Sequence, residues 1–413
     1  MSSDAPSVPS LLPPARDEDA YAAAPEALDE AAPPDPDTLE QQARALLHDR
    51  LGPSGAPAVT ASACGTVAVQ ADQTHYSDGF GLFMPLRHGV AVAARTAEAA
   101  RITFAGASET WTDEAASPPP WVVATRRILQ ELLVDQPVEV AVVSTVPGVC
   151  RDGYLGALAV ALTRVVRALD VPAAVDLDSV ERLRDDLMPF LAGEIGAAFE
   201  QPYSTGYLLA TFAGPDPAFT LVDTTTYEHL PVETEARTAL RWAVVAPDGD
   251  APRAADFHRR RQEEAEEALG VLRTNGFDDL TAFRDLEHRD LDRATRVLSD
   301  DLQPVARHLV TENRRVQKHV AAMRRSDWQM IGALMLMSHA SQRDHWHGTT
   351  AAADAVVAEA ETRTHDGLYG ACMTGRTGAV LVVGRPRAFD DELRRLADAV
   401  EAHHGYTPRM LAP

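Results

Sequence analysis

Residues 64–86 read "CGTVAVQADQTHYSDGFGLFMPL", and this stretch decides the fold. Two short apolar runs, "GTVAVQ" and "GLFMPL", lie on either side of a polar segment that ends in Asp78-Gly79, a pair typical of turns. Apolar runs of this length that are bounded by turn residues indicate β-strands. Two further runs of the same kind, "GVAVAART" and "ARITFAG", follow directly. The chain from Val59 to about Ile102 therefore predicts a β-rich beginning of the folded body.

The rest of the chain alternates between strand and helix patterns. "VEVAVVSTVPG" predicts a strand that passes through a Gly/Pro turn into a long helix, "YLGALAVALTRVVRALD". A loop between a strand and a helix is a common phosphate site, because free N–H groups and the helix dipole converge there. Residues 256–340 are mostly helical in their periodicity, and "GLYGACMTGRTGAVLVVG" returns to strands. This order predicts an α+β protein of two lobes.

Composition excludes several classes of protein. The 413 residues include 38 Lys and Arg against 61 Asp and Glu, a net charge of -23, so we expect neither nucleic acid nor an anionic membrane as a partner. No apolar run approaches the ~18 residues that span a bilayer, and Cys64, Cys150 and Cys372 form no CxxC pair. These features predict a cytoplasmic protein. Residues 1–38 are acidic and rich in Pro and Ala, which predicts a disordered tail.

Several extended stretches resemble the galactokinase branch of the GHMP kinase superfamily. "FHRRRQEEAEEALGVL" (257–272), "HLVTENRRVQKHVAAMRRSDWQMIGALMLMSHASQRD" (308–344) and "YGACMTG" (369–375) are similar to the family's C-terminal lobe. The resemblance implies a lobe like ribosomal protein S5 over residues 39–235 and a ferredoxin-like lobe over residues 236–413. It also implies transfer of the γ-phosphate of MgATP to the anomeric hydroxyl of a sugar in the cleft between the lobes.

The opening stretch corresponds to the first family motif, which runs roughly PGR-x-N-x-IGEHTDY-x-DGF. Thr66 stands where the family has its catalytic arginine. A Glu-His pair that binds the sugar is replaced by Asp72 and Gln73, and a further sugar-binding aspartate is replaced by His75, whereas Asp78 is kept. Histidine cannot accept two sugar hydroxyls as a carboxylate does. Asp72, Gln73, His75 and Asp78 are therefore the candidate sugar-binding residues, with an altered recognition pattern.

The second motif, roughly PxGxGLSSSAA in the family, cradles the triphosphate. The corresponding stretch is "PGVCRDGYLGALA". It gives a degenerate nucleotide-binding loop whose candidate residues are Arg151, Gly153, Tyr154 and Leu155. Asp152 adds a negative charge beside the phosphates, and bulky side chains hinder the close approach that lets backbone amides reach phosphate. ATP binding of the ordinary kind is therefore not expected.

The remaining catalytic parts are changed as well. Tyr207 takes the place of the family's catalytic aspartate, and a phenol with a pKa of ~10 is a poor base at neutral pH. The third motif, MTGGGFGGC in the family, is "MTGRTGAVL" here, so Arg376 and Thr377 replace a glycine run. The resemblance thus leaves Thr66 and Tyr207 at the family's catalytic positions without its catalytic groups.

These substitutions predict a catalytically silent galactokinase-like protein that serves as a sensor of a sugar or another small ligand, or as a partner of another protein. The alternative is an active ATP-dependent sugar 1-kinase whose site has been rebuilt, with MgATP as its cofactor. A third reading is a scaffold whose cleft is filled by Tyr154, Leu155 and Tyr207. No metal site is predicted, because His345 and His347 diverge on a helix. The stripe Met330, Leu334 and Met337 is predicted to be core.

Overall fold

The fold was obtained as a computed structural model. It describes residues 33–71, 73–74, 78–107, 109–112, 118–133, 136–169, 171, 186–216, 218–247, 255–411 and 413. A tail was predicted over residues 1–38, and residues 1–32 of it lie outside the described part of the chain. Among the described residues, no helix has the length and apolar character that crossing a bilayer requires.

The N-terminal half holds a mixed sheet with helices on its two faces. Its strands are β1 (Val59–Gln70), β2 (Phe80–Thr96), β3 (Arg101–Phe104), β4 (Thr110–Thr112), β5 (Val138–Ser144), β6 (Thr220–Asp223) and β7 (Glu228–Pro231). Their order is β4-β3-β5-β2-β6-β7, and β1 pairs with β2. Only β3 and β5 run parallel among the described pairs. The helices are α1 (Pro36–Leu51), α2 (Pro120–Leu132), α3 (Arg151–Ala168), α4 (Met188–Phe199), α5 (Thr205–Phe212) and α6 (Ala236–Ala239).

The C-terminal half pairs a four-stranded sheet with long helices. The strands β8 (Arg241–Ala246), β9 (Leu368–Thr374), β10 (Ala379–Gly384) and β11 (Arg409–Leu411) form an antiparallel sheet in the order β11-β8-β10-β9. The helices are α7 (Ala255–Thr274), α8 (Leu291–Thr295), α9 (Leu302–Arg324), α10 (Trp328–Ser341), α11 (Ala351–Thr362) and α12 (Phe389–His404). A π-helical turn, Gln342–Trp346, extends α10. The α+β class and the two-lobed architecture are confirmed.

Helix α1 starts earlier than the sequence predicted. The carboxylate of Asp35 accepts a hydrogen bond from the backbone nitrogen of Thr38 at 2.8 Å, and Pro36 occupies the first turn, where a missing N–H costs nothing. Leu39, Ala43 and Leu47 bury one face of α1 against alanines of β2 and β5. The helix therefore begins within the last residues of the predicted tail, and it covers the face of the sheet opposite α2 and α3.

The two runs predicted as separate strands after Asp78-Gly79 form one strand of 17 residues, β2. Pro85 pairs with Thr66 beside a shift in the register of β1, so the missing N–H of Pro85 falls at an irregularity. Gly89 permits a close approach, because a Cβ there would lie 2.7 Å from the backbone oxygen of Ala63. Pro85 and Gly89 thus accompany irregular pairing between β1 and β2, but β2 continues through both residues.

Candidate active-site cleft

Helix α9 of the C-terminal half holds both ends of the loop that joins β1 to β2. The buried carboxylate of Glu312 accepts a hydrogen bond from Nε2 of Gln70 at 2.7 Å, at the end of β1. The next residue, Asn313, accepts a hydrogen bond through Oδ1 from the backbone nitrogen of Phe80 at 2.8 Å, at the start of β2. Two adjacent side chains of α9 therefore fix the stem of the loop that carries the predicted sugar-binding residues.

Glu312 is the centre of a buried polar network. It also accepts a hydrogen bond from Ser338 at 2.8 Å and pairs with Arg315, and Nδ1 of His319 contacts Oε1 of Gln70 at 3.1 Å. Burial alone would raise the pKa of Glu312, but Arg315 and the other donors outweigh it and hold that pKa below its usual value. The network thus carries a charged carboxylate at the boundary between the lobes.

The loop itself has two backbone positions that are unusual for residues with a side chain. Ala71 and Asp78 have φ angles of 61° and 53°, in the left-handed region. Between them the Thr74 hydroxyl donates hydrogen bonds to the backbone oxygens of Ala71 and Phe80, which closes the loop on itself. Positive φ at a residue other than glycine costs free energy and persists only where the surroundings fix it. The contacts of α9 at both ends supply that constraint.

The structure describes two of the four predicted sugar-binding residues. Asp72 and His75 lie outside the described residues. Gln73 is buried, and its Oε1 accepts no hydrogen bond from the described residues. The carboxyl group of Asp78 is partly shielded from water, which raises its pKa; Arg284 opposes this rise, and Asp223 and Asp285 add to it. The assignment of these residues to a sugar stays a prediction.

The three motifs and the position of the family's catalytic aspartate meet at one point. A single cavity is lined by Thr66 of β1, Asp152 and Gly153 of α3, Tyr207 of α5, Thr374 at the end of β9 and Gly375 directly after it. Its volume is about 10 Å³, enough for roughly one water molecule, whereas ligand pockets usually measure about 300 Å³ or more. The convergence agrees with the resemblance, but the space at this point is almost completely filled.

A buried ion pair lies in the stretch that the resemblance matches to the family's second motif. Oδ2 of Asp152, in the first turn of α3, accepts hydrogen bonds from the backbone nitrogen of Arg376 at 3.1 Å and from its Nε at 3.4 Å. The guanidinium of Arg376 also donates to the backbone oxygen of Pro202, and the Thr377 hydroxyl donates to that of Val149. The residues that replace the glycines of the third motif thus bind the residues that replace the second motif.

Two buried guanidinium groups flank the carboxylate of Asp152. Asp152, Arg151 and Arg376 are all buried, with 2%, 4% and 4% of their surface exposed. Burial would raise the pKa of Asp152, but Arg376 and Arg151 outweigh it and keep that pKa below its usual value. Burial lowers the pKa of Arg151, and its guanidinium lies over the ring of Phe199 at 5.8 Å. One carboxylate therefore serves two cations in a site shielded from water.

Aromatic side chains fill the remaining volume. Tyr154 is 1% exposed and its hydroxyl has no partner among the described residues; burial raises its pKa. Tyr207 is 2% exposed and packs edge-on against Phe83, with ring centroids 5.1 Å apart. Leu155 is buried beside them in the same core. Only glycine fits at position 153, where α3 approaches β1, because a Cβ there would lie 2.0 Å from the backbone oxygen of Thr66.

The structure describes residues that carried two other sequence-based interpretations. His339 is buried, receives a hydrogen bond from the backbone nitrogen of Met373 and contacts Asp354 at 3.0 Å, and within the described residues no group of His, Cys, Asp and Glu is placed to hold a metal. The prediction that Met330 and Met337 are core is wrong, because they are 42% and 53% exposed; Leu334 is buried as predicted.

Comparison with known proteins gives the class first. The structure superposes on Lactococcus lactis galactokinase complexed with galactose with a TM-score of 0.75 at 18% identity, covering 91% of this chain and 97% of that one. It matches L. major mevalonate kinase in complex with R-mevalonate with a TM-score of 0.53 at 11% identity, over 87% of this chain and 98% of that one. The fold is that of the GHMP kinases.

Sequence relatives then give the branch. Galactokinase of Thermotoga petrophila is 33% identical over 153 residues, 37% of this chain and 40% of that protein. Galactokinase of Thermotoga maritima is 30% identical over 203 residues, 48% of this chain and 53% of that protein. The chain thus matches about half the length, or less, of these curated relatives, and no family model matches it. Fold and sequence together support the galactokinase branch of the GHMP superfamily.

Proposed function

We propose that this protein is a catalytically silent member of the galactokinase branch, in which the nucleotide half of the cleft has become part of the core. The observation that carries the proposal is the ion pair between Asp152 and Arg376, at the meeting point of the three motifs. A triphosphate there would meet the carboxylate of Asp152 and would have to displace a buried, hydrogen-bonded pair. Breaking such a pair costs about 3–5 kcal/mol.

The catalytic positions support the same proposal. Thr66 and Tyr207 line the small cavity, but neither side chain is an acid or a cation at neutral pH. Loss of a general base alone reduces rates by ~10² to 10⁴, and loss of a charge-stabilising arginine by ~10³ to 10⁵. Phosphoryl transfer depends on positioned charge more than on covalent chemistry, so a site with these side chains lacks its main source of rate enhancement.

The test is ADP release from MgATP with a panel of hexoses and amino sugars, measured beside an active galactokinase. We expect turnover below the detection limit for every sugar. Turnover of about one per second would contradict the proposal, since kinases run at ~1 to 100 per second, and would favour the rebuilt kinase. Equilibrium dialysis with MgATP provides an independent check, because we expect no binding of nucleotide at millimolar concentration.

One observation favours a small-ligand site in the sugar half of the cleft. Gln73 is buried, yet its Oε1 has no hydrogen-bond donor among the described residues, and a buried polar atom of this kind is usually satisfied. A polar ligand with a hydroxyl donor would satisfy it. We therefore propose a sugar or a similar polyol as the ligand that the protein senses, with no reaction following binding.

Thermal shift tests this second part separately. A ligand at 100 times its Kd adds about 2.7 kcal/mol, which raises the Tm by a few degrees. Galactose and related hexoses are expected to raise the Tm of the native protein and to leave that of the Gln73→Leu variant unchanged. Gln136→Leu, far from the loop, is the matched control. If no sugar moves the Tm of the native protein, ligand sensing fails and a purely structural role remains.

A further inference from the structure

Two of the four large apolar side chains that are exposed among the described residues lie on one side of helix α10. Met330 is 42% exposed and Met337 is 53% exposed. They are seven residues apart, which is almost two turns, so they share a side of the helix, and the exposed Ala333 lies between them. These three residues, called the α10 face below, form an apolar strip about 10 Å long.

The opposite side of α10 is packed tightly against the core. Ile331 and Met335 are buried there, and a Cβ on Gly332 would lie 2.0 Å from the backbone oxygen of Tyr369 in β9. A helix that is apolar on every side is normally covered on every side. Exposed methionines also adapt well to an opposing surface, because their side chains are flexible. The α10 face therefore has the character of an interaction surface.

The two ends of the α10 face differ in charge. Arg324 and Arg325 are exposed directly before α10, and within the described part of the chain neither makes an ion pair. Asp327, which follows them, caps α10 by accepting a hydrogen bond from the backbone nitrogen of Met330. At the other end, three carboxylates act on the guanidinium of Arg343 and raise its pKa, those of Asp344, Asp354 and Glu361. The first end is therefore positive and the second end is negative.

A second copy of the chain in antiparallel orientation fits this distribution of charge. Met330 and Met337 are equally far from a point beside Ala333, so a two-fold axis there sets each methionine against the other methionine of the partner. The same axis brings the positive end of one face to the negative end of the other. The dipoles of two antiparallel helices favour the same orientation. A parallel copy would instead place Arg324 and Arg325 against the same two residues of its partner.

The size of the face limits the strength of the contact. A stable interface usually buries about 800 Å² on each partner, which is more than one short helix face provides. The net charge of -23 on each chain also opposes association, although charges further apart than about 8 Å are largely screened at physiological salt. We therefore expect weak and reversible association, with a Kd of roughly 10 μM or higher.

We propose that this protein forms a weak symmetric dimer in which the α10 face packs antiparallel on the α10 face of a second copy. The two methionine pairs form its centre, and the oppositely charged ends fix its direction. The dimer goes beyond the proposed function and does not depend on it, because none of the three residues of the face lines the small cavity where the motifs meet.

Sedimentation velocity on the full chain tests the proposal. Between about 1 and about 300 μM protein, concentrations that bracket the expected Kd, the average mass should rise from that of one chain towards that of two. Met337→Glu should raise the Kd at least tenfold, because it places a carboxylate in the apolar centre of the contact. Leu230→Glu is the matched control, since Leu230 is 58% exposed on β7 and lies outside the α10 face. Circular dichroism confirms that each variant is folded.

Exchange of charge between the two ends tests the direction of packing. The double variant Arg324→Glu with Arg325→Glu should raise the Kd at least threefold, and so should Asp344→Arg with Glu361→Arg. Combining all four substitutions should restore a Kd close to that of the native protein, because opposite charges face each other again. A single mass at every concentration would overturn the proposal. So would equal association of the native protein and Met337→Glu, or a fourfold variant that associates more weakly than either double variant.

Discussion

Nε2 of Gln70 donates a hydrogen bond of 2.7 Å to the carboxylate of Glu312, 242 residues further along the chain. The bond ties the last residue of β1 to the middle of α9, and Asn313 repeats the tie one residue later at Phe80. The loop that contains the altered first motif is therefore positioned by the C-terminal half, in which the family resemblance is least changed. Four predictions follow from contacts of this kind, and each can be checked on purified protein.

Glu312→Gln should destabilise the fold strongly. The substitution keeps the shape of the side chain but leaves the buried guanidinium of Arg315 without its carboxylate, which costs about 3–5 kcal/mol. Urea unfolding followed by circular dichroism measures the loss. Glu287→Gln is the control, since Glu287 pairs with Arg289 at the surface and such pairs contribute about 1 kcal/mol or less. Equal losses of unfolding free energy in the two variants would show that the buried network contributes no more than a surface ion pair.

Asp152→Asn should destabilise the protein through the inter-lobe ion pair. It removes the one carboxylate that Arg151 and Arg376 share and leaves two buried cations facing each other, at a cost of about 3–5 kcal/mol. Adding Arg376→Met should recover part of this loss, because it removes one of the cations. The double-mutant cycle, measured by chemical unfolding, should give a coupling of at least about 1 kcal/mol. Additive losses would mean that the two residues act independently.

Stability should fall steeply in mild acid. His308 and His319 are fully buried, and burial lowers the pKa of each to about 3, from 6.5 in the unfolded chain. Both are neutral in the folded state, so their contribution is complete above pH 6.5 and is lost as pH falls towards 3. In that window the unfolded state binds two more protons, a slope of about 2.7 kcal/mol per pH unit. Free energies of unfolding measured between pH 7 and 4 should show this slope.

A variant separates the histidines from the acidic groups that titrate in the same range. In His308→Asn with His319→Gln, the slope between pH 6 and 5 should decrease by most of that amount, since carboxylates contribute mainly below pH 5. An unaltered slope in the double variant would contradict the prediction.

Gly332→Ala and Gly193→Ala should have opposite effects. Both glycines lie inside helices, where alanine is favoured by about 0.5–1 kcal/mol. At Gly193 nothing lies within 4 Å of the new methyl group, so this variant should be slightly more stable. At Gly332 the methyl would lie 2.0 Å from the backbone of Tyr369, so α10 must move away from β9. Melting temperatures of the two variants check the difference in sign.

The sequence was sufficient for the class of fold. Thr66 and Tyr207 were placed at the family's catalytic positions by the resemblance, and both line the same cavity, together with Gly375. The pairing of Asp152 with Arg376 was not foreseen, although both residues stood out as charges in altered motifs. Their contact joins residues 224 positions apart and depends on how two lobes close, which no local pattern specifies.

Local periodicity also predicted the wrong buried side of α10. Met330 and Met337 have the spacing of a buried stripe, but so do Ile331 and Met335 on the other side. When a helix is apolar all round, spacing alone does not choose the side that faces the core. That choice was made by Gly332 and Gly370, whose small size lets α10 lie directly on β9.

Asp152 gives the closed cleft a property that a bound nucleotide cannot give. The carboxylate of Asp152 is part of the chain, so it cannot dissociate from Arg376 into solution as a bound nucleotide could. Under the proposed function, the setting of the two lobes at this point does not depend on the energy charge of the cell, and the protein presents the same surfaces whether ATP is scarce or abundant.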